Sequence, residues 1–270
     1  MNKSRLHCII ASLSLMMSIM VSMNTFAVSN GEAGSNIHYS GEEIAAFAKQ
    51  VEKTLAKKGA RVFIVGRVGR PTKELPAGIH YTHTAFGVYS MITTEDGRTV
   101  PGYAIYNLYQ REGQPHISDL VTDFPADFFA SVQEMKAGIV IPTPVMQRRL
   151  LNVINSELYQ ALHVPQYSAI ANPYTLAYQN CTEHVLDVIN AAIYQTYDIE
   201  QIKRNTTAYF EAQLVNVSPL KLMLGNLLMK DVTTSDHNGP VVTTTFNAIA
   251  NYMDTYSLVS ERFEIEPEIH

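Results

Sequence analysis

The sequence predicts an α+β fold, a small antiparallel sheet packed on helices within one domain. Three observations carry this. Between residues 60 and 109, runs rich in β-branched and aromatic residues alternate in period two and are separated by turn signals. Amphipathic stretches with helical spacing precede and follow them. The chain contains no internal repeat.

Ser40-Gly41-Glu42-Glu43 opens a helix to about Lys58, with Ile44, Phe47, Ala48, Val51 and Leu55 on one face and Gly59 as C-cap. Ala60–Val68 is a strand, followed by a Gly/Pro-rich turn through Gly78. Tyr81–Ile92 is a second strand, and the Asp96-Gly97 pair favours a tight hairpin into an antiparallel third strand, Tyr103–Tyr109. Ser118–Phe129 is expected to be a loop and Ile139–Ile141 a short strand. A helix over Pro144–Leu162 would turn Val145, Leu150, Leu151, Ile154 and Leu158 inward. Cys181–Tyr197 is the best-patterned helix, with Asn180 as N-cap, Glu183 completing a capping box, and Val185, Leu186, Ile189 and Ile193 buried. Helical pieces follow at 199–210, 219–228 and 243–258.

Residues 1–27 have the form of a secretory signal. Lys3 and Arg5 precede an apolar run, and Thr25-Phe26-Ala27 supplies small residues at the cleavage positions. Cleavage after Ala27 gives a periplasmic or secreted protein, with residues 28–38 as a flexible leader and 39–270 as a single domain. Cys8 precedes the apolar run, which argues against lipidation, and no later segment is apolar for long enough to span a bilayer. Loss of Lys3 and Arg5 moves the formal net charge from −5 to about −7. An acidic chain lacks the basic face that nucleic-acid binding requires.

Cleavage would also leave one cysteine, Cys181, at a helix N-terminus. Backbone N–H groups and the helix dipole favour a thiolate there. Such a cysteine is either a small buried hydrophobe or a thiol kept for its reactivity. A nucleophile needs a base and an orienter. His83 lies within an alternating strand and is the preferred base, since His184, three residues after Cys181, would point along the helix flank. Asn107 on the next strand, sharing a face with Tyr103, Ile105 and Tyr109, could fix the tautomer of His83. A packed histidine and a solvent-facing asparagine are the competing readings. Tyr81, Tyr178 or Gln179 could help the helix N-terminus hold an oxyanion, Asn180 adjoins the thiol, and Arg67 and Arg70 could grip a substrate carboxylate. Asp119, Asp123 and Asp127 lack the glycine and terminal glutamate of an EF-hand loop. The sequence calls for no metal and no cofactor.

Tyr81-Thr82-His83-Thr84-Ala85-Phe86, followed far downstream by Asn180-Cys181-Thr182-Glu183-His184-Val185, resembles the circularly permuted NlpC-type branch of the papain-like superfamily. There a histidine strand precedes the cysteine helix. Val65–Arg70, Gly102–Tyr109, Asp123–Phe129 and Tyr178–Glu183 resemble, more specifically, the bacterial domain-of-unknown-function 2145 family. The superfamily resemblance implies Cys181 as nucleophile, His83 as base and Asn107 as third residue, with Tyr106 its competitor. Ala85 stands where a glycine is common. The expected function is an exported cysteine amidase or peptidase acting on a peptide, amide or lipid ester of the cell envelope. The alternatives are a catalytically silent binding or scaffold protein on the same fold and a redox-sensing thiol.

Overall fold

A computed structural model describes residues 37–94, 96–216 and 231–268. The expected export signal with Cys8, the leader up to residue 36 and the expected helix at 219–228 lie outside the described residues. Helix α1 (Gly41–Lys57) starts at Ser40. Its hydroxyl accepts from the Glu43 N–H at 3.3 Å, and the Glu43 carboxylate accepts from the Ser40 N–H at 2.8 Å. This reciprocal cap satisfies two backbone donors that the first turn leaves without partners. The α1 stripe expected from the sequence is the buried one, and Gly59 at φ +65° ends the helix where an L side chain would be strained.

The chain then builds a six-stranded sheet, antiparallel throughout, from β1 (Val62–Val68), β2 (His83–Thr93), β3 (Thr99–Arg111), β4 (Gln114–Asp123), β5 (Glu134–Pro142) and β8 (Val259–Ile265). Their spatial order is β4-β3-β2-β1-β5-β8. A separate two-stranded pair joins β6 (Gln213–Leu214) to β7 (Val242–Thr243). Helices cover both faces. Val62, Ile64, Phe86, Val88 and Val140 pack against α3 (Pro144–Ile154), α5 (Cys181–Tyr194), α6 (Ile199–Tyr209) and α7 (Phe246–Thr255). Phe63, Val65, Ala85, Tyr103 and Ile105 pack against α1 and α2 (Pro125–Phe129). Each fully buried aliphatic or aromatic side chain in these two layers contributes about 1.5–3 kcal/mol.

The sheet is larger than the sequence pattern suggests. The region expected as a loop at Ser118–Phe129 is the second half of β4 followed by α2. Strand β4 is a half-exposed edge, so its residues carry little hydrophobic alternation. The expected single helix over 144–162 breaks at Asn155–Ser156 into α3 and α4 (Glu157–Ala161), with Ser156 in an extended conformation. Val145, expected inward, is 50% exposed, and Met146 and Val153 take core positions instead. The C-terminal helix is shorter than expected, and β8 follows it.

Two features join the layers. Gly66 of β1 and Gly138 of β5 are register partners, and the rings of Tyr81 and Phe246 lie over them. A Cβ on Gly138 would stand 2.5 Å from Tyr81 Cζ. Along the outer edge of β4, Ser118 N–H donates to Pro165 O and Tyr167 N–H donates to His116 O, both at 2.8 Å. The opposite edge strand, β8, exposes Glu261, Arg262 and Glu264.

Candidate active site

The β2–β3 ladder runs from Thr93–Thr99 to Phe86–Tyr106 and stops. Beyond that point His83 stays paired with β1, opposite Arg67, whereas Asn107 to Tyr109 stay paired with β4. Helix α5 begins beside this parting of strands. Thr182 of its first turn lies with Oγ1 3.4 Å from Thr84 Oγ1, next in sequence to His83. The Cys181 Sγ is 3.6 Å from that same Thr182 hydroxyl. Asn180 caps the helix by accepting from the Glu183 N–H at 2.9 Å.

At the strand ends, His83 Nε2 meets Asn107 Oδ1 at 3.0 Å. The amide orientation is set from behind, because Asn107 Nδ2 donates to Asp123 Oδ1 at 2.6 Å. Asp123 Oδ2 accepts from the Tyr109 hydroxyl at 2.9 Å. Asn107 therefore presents a carbonyl to His83, which places the imidazole proton on Nε2 and the lone pair on Nδ1. The Nδ1 atom is buried and makes no hydrogen bond. The His83 ring stacks on Tyr109 at 4.9 Å and an interplanar angle of 10°. Cys181 acts on the same Tyr109: a thiolate there adds to the forces raising the phenol pKa, of which burial is the largest.

Charge is controlled by burial. Desolvation, then the nearby Arg67 guanidinium, holds the His83 pKa well below its ordinary value, so the imidazole is neutral. Burial pushes Asp123 up to about 7, against the pull of Tyr109 and Arg67. Arg67, expected to reach a substrate, is 0% exposed: it donates to Phe128 O and lies over the rings of Tyr109 at 5.5 Å and Phe128 at 4.9 Å. Arg67 is the penultimate residue of β1, at a register irregularity before the turn, and its side chain is turned inward.

A family model for uncharacterized proteins conserved in bacteria, DUF2145, matches residues 54–253. The chain belongs to this family. No curated protein and no solved structure matches it. The matched span takes in His83, Asn107, Asp123 and Cys181 and stops short of β8.

In this DUF2145 chain the other expected site residues are committed elsewhere. Tyr81 hydrogen-bonds Glu264 of β8 and packs edge-on against Phe246 at 4.6 Å. Gln179 is fully buried: its Oε1 accepts from Val164 N–H, and its Nε2 donates to Leu162 O and Asp187 Oδ2. Asn180 Nδ2 donates to Ala169 O and Thr243 Oγ1. Gln179 and Asn180 tie the α5 N-terminus to neighbouring segments, and Tyr81 ties the approach to β2 to β8 and α7. Tyr106, the competitor of Asn107, turns to the opposite face of β3 and packs edge-on against Tyr159. His184 lies against Tyr159 and His163, and burial drives its pKa down to about 3. The three aspartates considered for calcium part company: Asp119 pairs with Arg111, Asp123 serves Asn107, and Asp127 accepts from the Phe124 N–H.

Sequence reasoning missed two groups of this DUF2145 site. Asp123 sits on the strand taken for a loop, and only the β3–β4 pairing brings it to Asn107. The second is a buried charge cluster beneath α5. Lys203 of α6 donates to Glu183 Oε1 at 2.7 Å and to Asp187 Oδ2 at 2.9 Å, and all three side chains are buried. Glu183 therefore completes no capping box, because its side chain turns inward to Lys203. The i, i+4 spacing of Glu183 and Asp187 on an otherwise apolar helix was the available signal.

Proposed function

We propose that the protein is an exported thiol hydrolase of the amidase or peptidase type, on a permuted papain-like fold, acting on an amide or ester of the cell envelope. One observation carries the proposal. His83 has its Nε2 edge engaged by Asn107 and its Nδ1 lone pair available, on strands that part where the Cys181 helix begins. In the reaction, Cys181 Sγ–H gives its proton to His83 Nδ1 and the thiolate attacks the carbonyl carbon. A C–S bond forms while the carbonyl π pair moves to oxygen, where first-turn N–H groups of a helix are suited to receive it. The protonated imidazole returns the proton to the leaving amine or alkoxide as the C–N or C–O bond breaks. Water, deprotonated by His83, then hydrolyses the thioester and regenerates the thiol. Asn107 keeps the ring in the required tautomer throughout, and Asp123 keeps Asn107.

The burial of Cys181 at 1% exposure and His83 at 0% supports a second reading, a catalytically silent binding protein on the same fold. The two readings separate on thiol chemistry. Iodoacetamide alkylation of Cys181 is followed by intact mass across pH, with His83→Ala beside the native chain. A hydrolase reacts near neutral pH, and losing His83 slows that reaction by about tenfold or more. A profile that is indifferent to His83 sinks the hydrolase and leaves the binding protein.

A further inference from the structure

On the helical side of the molecule a groove of about 480 Å³ runs between the C-terminal end of α6, β6 and one flank of α7. Its size falls in the range of about 300–1,000 Å³ usual for small-molecule sites. Tyr209 and Tyr256 line it while remaining 53% and 47% exposed. Neighbouring exposed aromatic rings along one groove form the kind of contiguous patch that marks an interaction site. These rings do not stand alone. Tyr209 stacks with Tyr194 at 6.3 Å and meets Tyr256 edge-on at 6.3 Å. Tyr256 in turn leans edge-on against Tyr252 at 5.3 Å, and the buried Tyr252 donates to Asn190 Oδ1 at 2.9 Å. The rim is therefore built on an anchored aromatic base, and little side-chain freedom would be lost on binding.

The rest of the lining selects the ligand. Asn247, Asn251 and Gln213 bring amides, and Glu211 is the one formally charged residue among the described lining. Arg262 donates to Asn251 Oδ1 at 2.7 Å, which fixes that amide and directs its NH₂ away from the arginine. The lining itself offers one carboxylate and no lysine or arginine, and the neighbouring Arg262 is engaged by Asn251 and Asp254, so the groove does not select phosphate or carboxylate ligands. Amides and hydroxyls between the rings are a poor surface for an acyl chain. The combination suits a flat, uncharged molecule with an apolar C–H face and a rim of hydroxyls. The electron-rich face of a tyrosine attracts such C–H groups, and amides bond the hydroxyls.

We propose that this groove binds a short neutral oligosaccharide, with Tyr209 and Tyr256 stacking on pyranose rings and Asn247 and Asn251 bonding their hydroxyl or acetamido groups. The site is separate from Cys181 and does not depend on how that residue is used.

Saturation-transfer NMR and calorimetry on the chain from residue 28 onward, with chitotriose and maltotriose as probes, test the assignment. Binding of at least one sugar is expected, with transfer to its ring C–H protons. Tyr209→Ala and Tyr256→Ala should each weaken it by about tenfold, Tyr209→Phe should retain it, and Cys181→Ala should leave it unchanged. Both tyrosines are half exposed, so melting temperatures close to that of the parent are expected for the variants and show that the fold is intact. No binding of either sugar up to about 10 mM, or equal binding by the two alanine variants, overturns the proposal. So does self-association of the parent chain that Tyr209→Ala abolishes, since the rings would then serve an interface between copies.

Discussion

His83 offers its Nε2 edge to Asn107 at 3.0 Å and leaves Nδ1 buried without a hydrogen-bond partner. A buried polar atom left in this state costs about 1–3 kcal/mol. The arrangement suits a base whose proton arrives during a reaction. Removing Asn107 should release that constraint. In Asn107→Ala the alkylation profile of Cys181 moves toward that of His83→Ala, because the imidazole loses the partner that fixes its tautomer. The variant also loses about 1–3 kcal/mol in urea denaturation. An unchanged alkylation profile beside a lowered stability would assign Asn107 a purely structural role.

Lys203 answers two carboxylates inside the protein. Burial raises the pKa of both Glu183 and Asp187, and their attraction outweighs the opposite effect of burial on the lysine and keeps it charged. Lys203→Met strands the acids and should cost about 3–5 kcal/mol in chemical denaturation. The triple variant Lys203→Met, Glu183→Gln, Asp187→Asn removes every charge and should regain most of that loss. If the single and triple variants are equally unstable, the cluster acts through shape rather than charge.

Asp123 gives the fold a pH dependence of known sign. Its pKa in the folded chain is about 7, against an ordinary 3.8. Between those values the folded state holds a proton that the unfolded chain has released. The stabilisation is present on the acid side and is lost as pH rises from about 4 to about 7. Asp123→Asn carries no such proton. Thermal unfolding at about pH 5 and about pH 8 should show the variant gaining on the parent at the higher pH. A constant difference in melting temperature would refute the shift.

Gly87 faces Phe63 so closely that a Cβ would lie 2.0 Å from the ring. Gly87→Ala should therefore destabilise the chain by about 1–3 kcal/mol or more. Combining it with Phe63→Leu should cost less than the two changes added together, as read by a double-mutant cycle in urea.

Much of this was legible in the chain itself. The α1 stripe, the strand that carries His83, the hairpin after it and the Cys181 helix follow from spacing and caps, because each buries one face with a local period. Strand β4 was not legible. Its residues are half exposed, and it is a strand because β3 presents a free edge to it. The same holds for β8, where the consecutive exposed Ser260, Glu261 and Arg262 interrupt any apolar alternation. The His83–Asn107 pair could be named from sequence as residues on successive strands. Asp123 could not, since its role depends on the β3–β4 register. Arg67, Gln179 and Tyr81 showed polar character but not direction, and each of their side chains turns out to be held by the fold.

The two borders of the sheet bear on how the protein behaves at high concentration. An open strand edge is a template for another chain, and exposed flat edges lead to aggregation. Along β4 the backbone groups at His116 and Ser118 are taken up by the 165–167 segment. Along β8, Glu261, Arg262 and Glu264 put charge on the exposed edge, a device that blunts pairing with a further strand. A strap on one side and charge on the other are the features of the sheet that oppose edge-to-edge growth. Added salt weakens only the second safeguard.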